Sequence, residues 1–86
     1  MTAWTVEFTT AAAREVRKLE PSVRRRVLAA LAVLEEEARP AGARKLSGSS
    51  DDWRIRIGDH RALYEIQEDR VLVTVFRVAH RREVYR

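Results

Sequence analysis

Residues 51–66 read DDWRIRIGDHRALYEI, two runs of alternating apolar and polar residues on either side of Gly58-Asp59. Glycine at the first central position suits a two-residue type II′ turn, because that position needs a positive φ. This loop length predicts the pairs Ile57 with His60, Arg56 with Arg61, Ile55 with Ala62 and Arg54 with Leu63. Directly paired residues share a face of the sheet. Arg54, Arg56 and Arg61 therefore fall on one side with Leu63 and Glu65, whereas Trp53, Ile55, Ile57, Ala62, Tyr64 and Ile66 fall on the other. A three-residue loop would turn Arg61 into the apolar face, so burial favours the shorter turn.

The apolar face needs a cover, and the N-terminal half supplies one. Trp4, Val6 and Phe8 alternate with Thr5 and Glu7 as a short strand. Thr9 and Thr10 end it and can cap a helix over Ala11–Glu20, with Ala12, Val16 and Leu19 inward. Pro21 opens a second helix whose stripe is Val23, Val27, Ala30, Leu31, Leu34 and Ala38. Arg24-Arg25-Arg26 reads as a solvated face of that helix. Pro40, Gly42, Gly48 and the cluster SGSSDD make residues 39–52 a loop.

A last strand is expected over Arg70–Val78, after a turn at Glu68-Asp69 of two or four residues. Either length puts Val71, Val73 and Val75 under the helices and leaves Leu72, Thr74, Phe76 and Val78 as an apolar strip beside the arginines. Arg77 would then point inward, so a bulge or strand end is expected near it. The fold class is α+β: an N-terminal strand, a helical hairpin, then a three-stranded antiparallel meander, forming one sheet with two helices on one face.

The chain of 86 residues fits a single domain over 1–86, since chains this short bury only about 60–65% of their unfolded surface. Its 17 Lys and Arg against 13 Asp and Glu give a formal charge of +4, mostly from arginine, whose planar fork suits phosphate. Without cysteine there are no disulfides, thiolate nucleophiles or zinc fingers. The start MTAWTVEF lacks the features of a signal peptide, and no apolar run reaches the roughly 20 residues of a membrane span. A soluble, cytoplasmic protein with no membrane contact is expected.

Arg56 and Arg61 face each other in the predicted register, and paired like charges repel. An anion between them would relieve that repulsion. The alternative is a solvated sheet face, partly neutralised by Glu65 and Asp59.

The order Lys45-Leu46, then Arg54 and Arg56 on alternating strand positions, then Arg61 with Tyr64, then a basic segment with Arg81 and Tyr85, resembles the RelE family of bacterial toxins within the RelE/ParE superfamily. The resemblance covers nearly the whole chain. It implies the toxin of a toxin-antitoxin pair, which acts with the 70S ribosome and cuts mRNA in the A site. Cleavage there uses the 2′-hydroxyl of the RNA, without metal or other cofactor, leaving a 2′,3′-cyclic phosphate and a 5′-hydroxyl. The implied partners are a cognate antitoxin, in a hetero-oligomeric complex, the ribosome and the mRNA.

Position by position, Arg61 and Arg81 match the family's phosphate-stabilising arginines, and Tyr85 its substrate-orienting tyrosine. Arg54, Lys45 and Arg82 are expected to bind RNA. Arg54 and Arg56 stand where well-studied members have lysines, and arginine does not give up its proton. Arg56 is thus a charge-stabilising candidate, while His80 and Glu65 remain open as the general base. His60 is structural and Tyr64 core by parity. With one residue after Tyr85, no C-terminal helix of the kind some relatives carry is expected. Two other functions fit the same fold: a ParE-like toxin that inhibits DNA gyrase without nuclease chemistry, and an RNA-binding scaffold without catalysis.

Overall fold

The Gly58-Asp59 turn forms as its sequence dictates. Gly58 has φ of 60°, and Asp59 is not among the described non-glycine residues with positive φ, as a type II′ turn requires. The structure, a computed structural model, describes residues 3–48 and 51–84. Its elements are β1 (Thr5–Phe8), α1 (Thr10–Arg17), α2 (Pro21–Ala32), β2 (Arg44–Lys45), β3 (Asp52–Ile57), β4 (His60–Gln67), β5 (Leu72–His80) and α3 (Arg81–Val84), with 3-10 turns at Val33–Glu35 and Glu68–Arg70. The strands make one five-stranded sheet in the order β1-β5-β4-β3-β2. β1 runs parallel to β5, and the other neighbours are antiparallel.

The α+β architecture is the one the sequence predicts, and the β3–β4 register matches pair for pair, Arg56 opposite Arg61 included. The core follows from that parity. Ala12 and Val16 of α1, Val27 and Leu31 of α2, and Leu34 and Ala38 pack on Ile55, Ala62, Tyr64, Ile66, Val73 and Val75. Each fully buried Val, Leu or Ile side chain here contributes about 1.5–3 kcal/mol. Thr9 caps α1, its hydroxyl accepting from the Ala12 amide at 3.1 Å. The Tyr64 hydroxyl donates to the Ala38 carbonyl at 2.9 Å, tying the sheet to the end of the helical layer. Arg39 adds a second tie there: it pairs with Glu68 and lies over the Trp53 ring, 5.1 Å from its centroid.

The structure corrects several expectations. Residues 39–52 are not all loop, because Arg44 and Lys45 add the edge strand β2. β5 begins and ends two residues later than predicted. The turn before it has four residues between Gln67 and Leu72. Val71 sits in that turn, left-handed and exposed rather than under the helices. The expected irregularity near Arg77 is a β-bulge: Tyr64 pairs with Val75 but Leu63 pairs with Arg77, so Phe76 is the extra residue. The bulge reverses the parity beyond it. Val78, expected on the apolar strip, is instead in the core, and Arg77 joins the arginine face. Unbroken alternation would have buried a guanidinium and exposed a valine, a loss of several kcal/mol. One helical turn, α3, follows β5 ahead of Tyr85, in the basic segment that the sequence left without an element.

Candidate nucleic-acid interface

Two adjacent rows of paired residues cross the sheet on the side away from α1 and α2. One runs Arg44, Arg54, Leu63, Arg77, and the next Arg56, Arg61, Ala79. Together they set five arginines on one face. Leu63 is buried yet lies outside the core cluster, as the alternation requires of a residue on this side. Arg44, Arg54 and Arg56, with Ala41, Gly42 and Ile55, also line an open groove of about 630 Å³ at the β2 edge.

Arg61 departs from the picture of a cation on an open surface: it is 4% exposed. Its Nη1 donates to its neighbour His60's carbonyl at 3.2 Å, so the guanidinium folds back along the hairpin. Four buried side-chain nitrogens among the described residues have no partner, and two of them, Nε of Arg61 and Nε of Arg77, belong to this face. A buried, unpaired guanidinium nitrogen costs stability. These two lie at diagonal positions of the β4–β5 pair, on the arginine face.

The other predicted residues are distributed unevenly. Lys45 pairs with Trp53 and so lies on the opposite parity from the arginines, exposed on the edge strand. Glu65 shares the arginine face, but it lies four residues from Arg61 along β4, about 13 Å, and its Oε1 accepts from Gln67 Nε2 at 2.7 Å. His80 pairs with His60, on the helix side of the sheet. The two rings meet edge to face with centroids 5.5 Å apart, and with Val23, Arg26, Ile57 and Asp59 they line a pocket of about 150 Å³. Neither candidate base therefore stands beside Arg61.

His80 does hold the segment that carries two of the predicted arginines. Its Nδ1 accepts from the Arg82 amide at 3.2 Å, and the Arg81 amide donates to the Asp59 carbonyl at 2.8 Å. α3, with Arg81 and Arg82 exposed, is thereby pinned to the Gly58-Asp59 turn. Tyr85 lies outside the described residues. Arg44 was missed because nothing in residues 39–52 announces a strand, and Arg77 because its face depends on where the extra residue falls. Among the described residues no three His, Asp or Glu side chains converge as a metal site, and no helix is long and apolar enough to cross a membrane.

Comparison with known proteins agrees with this fold. Residues 6–85 match the family of the ParE toxin of type II toxin-antitoxin system, parDE. Toxin RelG of Mycobacterium tuberculosis is 36% identical over 96% of this chain and 97% of its own. The isolated Escherichia coli RelE toxin superposes with a TM-score of 0.82 at 31% identity, over 96% of this chain and 92% of that one. The toxin-antitoxin complex RelBE2 of M. tuberculosis gives 0.80 at 32% identity, over 93% of each chain. With a family match along almost its entire length and relatives of this similarity, the chain belongs to the RelE/ParE superfamily and is a toxin of type II toxin-antitoxin systems.

Proposed function

We propose that this toxin is a metal-independent endoribonuclease that cuts mRNA in the ribosomal A site and so stops translation. The observation that carries the reading is the buried Arg61 guanidinium, unpartnered at Nε, in the middle of an arginine face. In the reaction the 2′-oxygen bonds to phosphorus as its proton leaves, and the bond from phosphorus to the 5′-oxygen breaks as that oxygen takes up a proton. The products are a 2′,3′-cyclic phosphate and a 5′-hydroxyl. Negative charge grows on the non-bridging oxygens on the way, and fixed donors in a partly desolvated site stabilise it most. Arg61 and Arg56 supply such donors, and Arg81 approaches from α3. Arg54 and Arg82 hold the flanking RNA. Lys45, on the other parity, reaches only RNA or ribosome that passes the sheet edge. Since neither His80 nor Glu65 stands beside Arg61, the contribution of this face is charge stabilisation and positioning, not proton abstraction.

A cognate antitoxin is the partner in the cell, as in the RelBE2 complex. A ParE-like inhibitor of gyrase is the second reading, favoured by the name of the matching family. A purified translation system decides. Wild-type protein should shorten mRNA only when ribosomes are present, with cyclic-phosphate ends, and Arg61→Ala should lower the rate on the order of a hundred- to a thousandfold. Arg61→Lys should recover part of it, because a point charge lacks the bidentate fork. Intact mRNA together with inhibited gyrase supercoiling would replace this reading by the second.

A further inference from the structure

The bulge in β5 has a chemical consequence beyond keeping the core dry. Phe76 is inserted opposite the Leu63–Tyr64 step, next to the row that holds Leu63 and Arg77. One extra residue at that point does two things at once. It returns Val78 to the core, and it brings Arg77 onto the face of Arg54, Arg56 and Arg61. Bulges beside functional sites commonly re-aim a side chain in this way.

Arg77 arrives in a defined relation to Arg61. It pairs with Leu63, two residues along β4 from Arg61, and is thus the diagonal neighbour of Arg61 across the β4–β5 pair. Diagonal positions lie about 7–8 Å apart, comparable with the step between successive phosphates of an extended single strand. Both Nε atoms are buried without a partner. Leu63, between Arg54 and Arg77 in its row, gives an apolar floor between two cations.

We propose that Arg77 is a further substrate-binding residue, gripping the RNA phosphate next to the one held by Arg61, and that the bulge at Phe76 is what places it there. The inference rests on the nuclease reading for the identity of its ligand, but its binding test does not need cleavage. The probe is a short single-stranded RNA with every 2′-oxygen methylated, which cannot be cut. Its affinity for the full chain is followed by fluorescence anisotropy across a salt series. Removing one phosphate contact should weaken binding roughly ten- to hundredfold at low salt and reduce the slope of log K against log salt by about 0.7. Arg77→Ala should show both effects. Arg77→Met keeps the stem over the sheet and should show the same two effects, which guards against a folding defect in the alanine variant. Arg77→Lys should keep the slope and lose part of the affinity. An unchanged slope in a folded Arg77→Met protein, or no binding of the probe by wild type, overturns the proposal. If Arg61→Ala abolishes ribosome-dependent cleavage while Arg77→Met cuts and binds like wild type, the inference fails and the nuclease reading stands. If wild type binds the probe through Arg77 but cuts no mRNA, the nuclease reading fails and the phosphate contact stands.

Discussion

Tyr64 shows how one side chain can be core and polar at once. Parity put it under the helices, and there its ring is fully buried while its hydroxyl reaches the Ala38 carbonyl. Burial raises its pKa to about 12, with Arg39 pulling it down and Glu37 pushing it up. The folded state therefore holds the phenolic proton more tightly than the unfolded chain, where the pKa is near 10. The associated stability is fully present below pH 10 and is lost as pH rises from 10 towards 12, a loss of about 2 kcal/mol. Tyr64→Phe should remove that alkaline loss. At neutral pH it should destabilise by about 1–3 kcal/mol, because the Ala38 carbonyl stays buried without a donor. Urea titrations at pH 7 and pH 11 check both; a wild-type difference between the two pH values that persists in Tyr64→Phe would show that another group is responsible.

At the scale of elements, the hairpin was legible and the bulge only half so. The turn at Gly58-Asp59 fixed every β3–β4 pair, since a two-residue loop leaves no freedom of register. The awkward inward arginine at position 77 announced an irregularity, but the extra residue could be located only by the packing that draws Val78 into the core. His80 is the other instance. Its residue type pointed to proton transfer, whereas the β4–β5 pairing beyond the bulge puts it against His60 on the helix side, where its Nδ1 caps α3. Losing such a cap costs about 0.5–2 kcal/mol of local stability. His80→Ala should therefore speed hydrogen exchange at the Arg82 amide and, under the proposed nuclease function, lower cleavage, and His80→Asn, which keeps a short acceptor, should restore both. A proton-transfer role predicts the opposite pattern, with the asparagine variant as inactive as the alanine one.

On the scale of the whole molecule, α1 and α2 cover one face of the sheet, and the opposite face carries the arginines beside an apolar strip. β1 lies beside β5, so Thr5 and Glu7 share that face with Leu72 and Thr74, and the half-buried Phe76, which does not pack on the core, leads from them to the arginines. The strip is shorter than the alternation alone predicts, because Val78 has left it. A partner that covers Leu72, Thr74 and Phe76 would also lie against Arg77 and Arg61, so a single antitoxin segment with apolar and acidic residues could hide the arginine face while burying the strip. Phe76→Asp tests this geometry. A carboxylate there would meet the acidic part of such a segment and forfeit the apolar contact, so affinity for the antitoxin should fall about tenfold or more, at little cost to the fold because Phe76 is outside the core cluster. Arg77→Met should weaken the same complex mainly at low salt, where charge pairing is least screened. Calorimetric titration of the purified antitoxin into each variant measures both, and a wild-type affinity for Phe76→Asp would move the antitoxin to another surface.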